Sequence, residues 1–271
     1  MEAIYAHPRD YDLEHEGDDE EVNFYVGLLQ RWRPQRIMEL ASGSGRIAIP
    51  LAESAAAGTR IVGLERPGPM LDDARRKHQD LSSTTRERLV LSEGDMRDWR
   101  TETPFDLVLA PCSSLSHLQE LDEQLAAWQC AYDNLRPGGR FVADLAMPNL
   151  PLYADSLQTP PRAVVEIDID ARDPETGTRL LRYKTTRYLP HTQQAAVRFL
   201  YDRFPEGQQV DRYVSDFDCH VYYPREVELL FRTAGFLIEC WFGDYSARPF
   251  RATSRQMIAV GRRPESIRNV E

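Results

Sequence analysis

A chain of 271 residues with 42% hydrophobic content can bury a full core and sits near the upper size for one, so a single domain with a lid is expected. The formal net charge of -10 excludes nucleic acid as the expected partner, because phosphate contacts need clustered Lys and Arg to displace counterions. Cys112, Cys130, Cys219 and Cys240 lack metal or disulfide spacing, no apolar run reaches membrane-span length, and the start Met1-Glu2-Ala3-Ile4-Tyr5 lacks a leader's pattern, so a soluble, unprocessed, cytoplasmic protein with no metal and no membrane partner is expected.

In chain order, the acidic stretch Glu14 to Glu21 is predicted to start a helix running to Trp32. Residues 36–40, 60–64, 88–91, 105–110 and 140–145 are short apolar runs that read as strands, and 45–57, 69–80 and 118–134 carry apolar residues at helical spacing. That rhythm is βαβ, hence a parallel sheet covered by helices. Arg136-Pro137-Gly138-Gly139 reads as a helix stop followed by a tight turn. From about residue 160 the period changes: Ala163, Val165, Ile167 and Ile169 alternate with Val164, Glu166, Asp168 and Asp170, as in a half-buried strand. Asp173-Pro174-Glu175-Thr176-Gly177 reads as a hairpin turn, and strand-like runs at 178–189, 194–204 and 210–222 make the region an antiparallel insertion. A helix opens at Pro224 and ends at Gly235, and strands at 236–242 and 255–261 complete the sheet. The fold class is therefore α/β, a mostly parallel sheet with an antiparallel β insertion.

Gly43-Ser44-Gly45 follows the first strand and opens a helix, so the backbone there can approach a ligand and the helix N-terminus can face a polar group. Taken alone, the loop fits two ligands. Gly43, Gly45 and Ala48 satisfy a relaxed dinucleotide pattern with Glu65 at the distance of a ribose-binding acid, and any cofactor with an adenosine half fits equally.

Five segments in order resemble class I S-adenosylmethionine methyltransferases. Glu39-Leu40-Ala41-Ser42-Gly43-Ser44-Gly45-Arg46 is similar to the family's E/D-L-x-x-G-x-G-R loop, with Ala41-Ser42 in place of the usual Gly-Cys. Gly63-Leu64-Glu65 ends the second strand, Pro69-Met70-Leu71 resembles the helix start after it, and Glu93-Gly94-Asp95-Met96-Arg97-Asp98 resembles the adenine segment. Phe105-Asp106-Leu107-Val108-Leu109 and Leu135-Arg136-Pro137-Gly138-Gly139-Arg140 resemble the fourth strand and the turn before the fifth. Outside this core, Tyr11-Asp12-Leu13, Ser113-Ser114-Leu115-Ser116-His117-Leu118 and Phe242-Gly243-Asp244-Tyr245 resemble a small-molecule branch that includes sugar and antibiotic N-methyltransferases with a β insertion.

The resemblance implies a Rossmann-like class I methyltransferase sheet with an antiparallel last strand, and S-adenosyl-L-methionine as cofactor. It implies one methyltransferase domain, with residues 1–33 as lid and helix, 34–150 as cofactor-binding core, 160–222 as insertion and substrate lid, and 223–263 as core completion. The implied cofactor-binding residues are Tyr11, Glu39, Ala41, Gly43, Gly45, Arg46, Glu65, Arg66, Met70, Asp95, Met96 and Pro111. Glu65 would grip the ribose hydroxyls, Asp95 the adenine amino group, and Arg46 with the loop amides the methionine portion. Arg66 departs from the family wording and reads as an exposed charge. His117 and Tyr11 are the implied catalytic residues: His117 lies past strand four, where an acceptor approaches, and imidazole titrates near working pH. The plainer readings are a helix-cap or core histidine and a surface aromatic. Tyr201, Arg203, Tyr213, His220 and Tyr222 are expected chiefly to pack the insertion, and Asp244 to orient a substrate group or a lid residue. The expected activity is methyl transfer to a small molecule, N over O or C, with a homodimer left open. A nicotinamide oxidoreductase and a non-catalytic cofactor-binding partner subunit are the rival functions.

Overall fold

The computed structural model describes residues 3–17, 19–160, 162, 164–207 and 209–265. Among them the chain divides into two compact units, one of Asp18–Pro67, Leu71–Met147 and Tyr222–Glu271, the other of Met1–Gly17, Gly68–Met70 and Pro148–Val221.

The first unit holds the large sheet. A short helix α1 (Pro8–Glu14) belongs to the second unit; α2 (Glu20–Trp32) opens the first and stops at Arg33, a left-handed residue at φ 47° followed by Pro34. Then come β1 (Arg36–Leu40), α3 (Ala48–Ser54), β2 (Arg60–Glu65), α4 (Pro69–Gln79), α5 (Ser83–Arg88), β3 (Leu89–Glu93), β4 (Phe105–Ala110), α6 (Leu121–Asn134) and β5 (Leu135–Ala146). After the insertion follow α8 (Pro224–Thr233), β10 (Leu237–Phe242) and β11 (Gln256–Arg262). The strand order is β10-β11-β5-β4-β1-β2-β3, with β1 to β5 pairing in parallel and β11 antiparallel to both β5 and β10.

Central strands buried on both faces alternate between two cores. Ile37, Leu107, Leu109, Val142, Ile258 and Val260 pack with Phe24, Tyr25 and Leu28 of α2 and Leu51 of α3. Met38, Val108, Phe141, Ala143, Met257 and Ala259 pack with Trp128 of α6 and Phe231 of α8.

Three sequence expectations need correction, and two short helices were not anticipated. The N-terminal acidic stretch does not start one helix: Glu14 ends α1, and α2 begins at Glu20. Pro137-Gly138-Gly139 lies inside β5, not in a turn before it; Leu135 pairs with Phe105 and Arg140 with Leu107, so the extra residues bulge out of register, with Gly138 at φ 79°. Helices α5 and α7 (Leu150–Ser156), too short for a clear helical period, went unread. Tyr222 is not in the insertion sheet; it is 2% exposed in the core against Trp128, and its hydroxyl donates to the Leu115 carbonyl at 3.1 Å.

The second unit is built on the sheet β6-β7-β8-β9, with β6 (Glu166–Arg172), β7 (Arg179–Leu189), β8 (Gln194–Phe204) and β9 (Asp211–His220) antiparallel throughout. Asp173 organises the predicted hairpin, accepting the Glu175 and Thr176 N–H groups at 2.9 and 3.2 Å. The N-terminal segment packs on this sheet: Ile4 and Leu13 share a core with Leu180 and Tyr201. Arg9 makes two bonds to Asp173, 2.7 and 2.8 Å, and the Tyr213 hydroxyl donates to Asp10 at 2.9 Å.

Candidate functional site

The order of the large sheet reverses between β1 and β4, so their connections leave on opposite faces, and in open α/β sheets this is where a binding crevice lies, beyond the carboxyl ends. The backbone on both sides of that crevice is left-handed. After β1, Ala41, Gly43 and Gly45 have φ of 54°, 55° and 84°; after β4, Cys112 and Ser113 both have φ of 54°. Each such non-glycine residue costs about 1–3 kcal/mol and persists only where its surroundings fix it, a cost typical of ligand clamps. Gly63 of β2 lets the loop lie close, since a Cβ there would come within 2.8 Å of the Ser42 hydroxyl.

Glu65 ends β2 and ties the loop down: its carboxylate accepts the Gly43 N–H at 2.8 Å and the Arg66 N–H at 3.0 Å. Burial raises its pKa; those bonds and the nearby charges of Arg66 and His117 act the other way. The Arg66 side chain is exposed, as the sequence implied. Asp95, in the turn after β3, accepts from Arg97 through the guanidinium at 2.7 and 2.9 Å and through the backbone N–H at 2.9 Å. That pairing holds its carboxyl below the usual range. Met96 is half-buried against the core, and Met70 and Pro111 are buried. His117 ends a 3-10 turn, Ser114–His117, beyond β4 and is half-buried. Tyr11 lies in α1, within the second unit, between Tyr5 and His15 at 6.2 and 5.0 Å.

Arg46 pairs with Glu21 of α2, and Glu39 of β1 is 2% exposed. Burial holds the Glu39 carboxyl well above its ordinary range, against the attraction of Arg46 and with Glu21 and Glu65 adding repulsion. Sequence reasoning missed the company these residues keep. Asp144 of β5 is fully buried; it accepts the Tyr25 hydroxyl at 2.9 Å and the Tyr245 hydroxyl at 3.0 Å. Desolvation and the charge of Glu21 push its pKa up to about 7. A signal was present, because an aspartate interrupts the apolar run Phe141-Val142-Ala143-Asp144-Leu145 of a strand covered on both faces. Asp244 accepts the Ser246 and Arg248 N–H groups at 3.0 and 3.1 Å and so closes its own turn. Tyr201 and Tyr213 stack at 4.5 Å within the insertion sheet, in the packing role expected of them. Among the described residues no group of His, Cys, Asp and Glu could hold a metal ion, and no helix is long and apolar enough to cross a membrane.

Residues 37–139 match the methyltransferase domain family. The chain is 25% identical to a cypemycin N-terminal methyltransferase of a Streptomyces species, over 83% of this chain and 81% of that protein. It is 32% identical to the dTDP-3-amino-3,6-dideoxy-alpha-D-glucopyranose N,N-dimethyltransferase of Streptomyces fradiae, over 49% of this chain and 51% of that protein. The fold is that of DesVI from Streptomyces venezuelae, with a TM-score of 0.73 at 22% identity over 96% of this chain and 98% of that one.

Proposed function

We propose that this chain, which belongs to the class I S-adenosylmethionine-dependent methyltransferases, transfers methyl groups to an amine nitrogen of a small molecule. The observation that carries this reading is the pair of left-handed turns at the carboxyl ends of β1 and β4, with Glu65 tied to the first and His117 following the second. A buried Glu39 oxygen without a hydrogen-bond partner fits a ligand that brings a positive charge to the loop.

Bound S-adenosylmethionine supplies an activated methyl group for in-line transfer, so the protein's work is to position and to exclude water. In our assignment Glu65 holds the ribose hydroxyls, Asp95 the adenine amino group, and the 41–46 loop with Arg46 the methionine portion, while Met70, Met96 and Pro111 wall the ring and ribose. The exposed Arg66 contributes its backbone N–H to Glu65. The part of Tyr11 in closing the site rests on the resemblance alone. His117 holds or removes the acceptor's proton. The nitrogen acceptor is favoured because the similar proteins are named a cypemycin N-terminal methyltransferase and an amino-sugar N,N-dimethyltransferase. We assign the reaction to the cytoplasm, and to an acceptor other than nucleic acid or a membrane lipid, on the net charge of -10 and the scattered cysteines.

Calorimetry with S-adenosylhomocysteine, followed by labelled methyl transfer to a panel of amino sugars and N-terminal peptides, tests the reading. Tight product binding and label on nitrogen are expected; folded protein that binds neither donor nor product overturns it, and label on oxygen or carbon overturns the nitrogen assignment. His117→Ala is expected to lower kcat about 100-fold, the low end for a proton-transfer group, with product affinity within twofold of wild type. Full activity would return His117 to a packing role.

A second copy of the chain is the partner we assign to the outer face of the insertion sheet. Ile167, Tyr183, Leu200 and Val214 are successive cross-strand partners on that face, exposed at both ends of the row. The pairs Arg179–Asp170 and Arg198–Asp216 beside the row present both charge signs, so the surface complements itself across a two-fold axis. Light scattering should give a dimer that Val214→Asp converts to monomer; a monomeric wild type refutes the assignment.

A further inference from the structure

We propose that Glu21, Glu39 and Asp144 form one buried carboxylate cluster that receives the ammonium group of the cofactor's methionine portion and gives up a proton to solvent as it does so. The inference rests on the methyltransferase reading and assigns roles to two residues, Glu21 and Asp144, that the motifs do not reach.

Strand alternation places the acids together. Glu39 follows Ile37 by two residues on β1, and Asp144 follows Val142 by two on β5; Ile37 and Val142 belong to the core covered by α2. Helix α2 lays Glu21 and Tyr25, four residues apart, over that same face. The top of an otherwise apolar layer is therefore polar at the carboxyl ends of the strands, where the crevice opens. Exposures of 4% for Glu21, 2% for Glu39 and 0% for Asp144 leave little water to solvate three carboxylates.

The groups facing them come from every neighbouring element. From α2 there are Glu21 and Tyr25; from the loop after β1, Arg46; from the end of β2, Glu65; from the turn after β4, the Cys112 backbone N–H; and beyond β10, Tyr245, whose hydroxyl accepts Gln256 Nε2 of β11 at 3.3 Å. Of these groups Arg46 carries the positive charge, and it pairs with Glu21. Glu39 Oε2 and Glu21 Oε1 are buried with no hydrogen-bond partner. One guanidinium cannot hold three buried carboxylates ionised together, so the cluster keeps a proton; burial and mutual repulsion push Glu39 and Asp144 up, in agreement. An arriving ammonium supplies the missing positive charge. A carboxyl O–H then ionises, its proton passes to bulk solvent, and the new carboxylate is held by the Tyr25 and Tyr245 hydroxyls already aimed at Asp144.

The sign follows from linkage: binding that releases a proton strengthens as pH rises through the window where the free cluster is protonated. S-adenosylhomocysteine, which carries the ammonium, is expected to bind about tenfold more tightly at pH 8 than at pH 6, a mean release of about half a proton. Calorimetry in two buffers of different ionisation enthalpy reads that proton directly. 5′-Methylthioadenosine, which lacks the amino-acid portion, is expected to bind with no pH slope and no release. Asp144→Asn keeps an acceptor for both tyrosines and is expected to abolish most of the slope; Glu21→Gln, read in the same assay, guards against a folding defect in the first variant. A flat pH profile for wild type, equal release with both ligands, or wild-type release in both variants overturns the proposal. Absence of any product binding overturns the methyltransferase reading beneath it, and the proposal with it.

Discussion

Trp128→Ala is expected to remove about 3–5 kcal/mol of stability, read as a lower urea midpoint with little change in slope. Trp128 is fully buried on α6, and its ring meets Phe141 of β5 at 5.8 Å, Tyr222 at 5.8 Å and Phe231 of α8 at 6.0 Å, the first and last edge to face. It thus joins the middle of the sheet to two helices from distant parts of the chain. Those neighbours are themselves large and buried, so they cannot close the void, and the lost contacts add to the lost transfer energy. Leu229→Ala on α8, where the side chain is 64% exposed, is the control and should move stability by less than about 0.5 kcal/mol. A loss below about 1 kcal/mol at Trp128 would mean that the packing described around it does not form.

Glu65→Ala is expected to weaken S-adenosylhomocysteine binding about 100-fold. Its carboxylate fixes the Gly43 N–H in a left-handed loop residue and the Arg66 N–H beside it. Hydrogen bonds to a charged group contribute roughly 1.5–3 kcal/mol each, and losing the loop's anchor together with the proposed ribose contact amounts to about 3 kcal/mol of binding, a factor of about 100. Arg66→Ala, which leaves the backbone donor in place, is the matched control and should change affinity less than threefold. Affinity within threefold of wild type for Glu65→Ala would show that the loop is held by other means and that the ribose lies elsewhere.

The sheet was legible because its signals are local. Each parallel strand is a short apolar run bounded by polar residues, and the insertion opens on an alternation of period two over residues 163–170. The bulge at Pro137-Gly138-Gly139 was misread because proline and glycine signal a turn and a strand irregularity alike; only the register against β4 separates them. The loop, Glu65, Asp95 and His117 could be placed from motif order. Glu21, Tyr25, Asp144 and Tyr245 could not be joined in advance, because their association depends on which face of β5 α2 covers, and Asp144 is 119 residues from one hydrogen-bond partner and 101 from the other.

Residues 3–17 and the insertion share one core, through Ile4, Leu13, Leu180 and Tyr201, and the Arg9–Asp173 bonds clip the segment to the hairpin. Anyone grafting this insertion onto another scaffold must therefore transplant two separate stretches of sequence. A graft of residues 148–221 alone would arrive with its inner face stripped of Ile4 and Leu13 and with a buried aspartate missing its arginine. For the same reason, drift at positions 4–13 is constrained by a sheet encoded more than 150 residues later, and chimeras cut at the usual boundary before the first strand would keep both ends together only by chance.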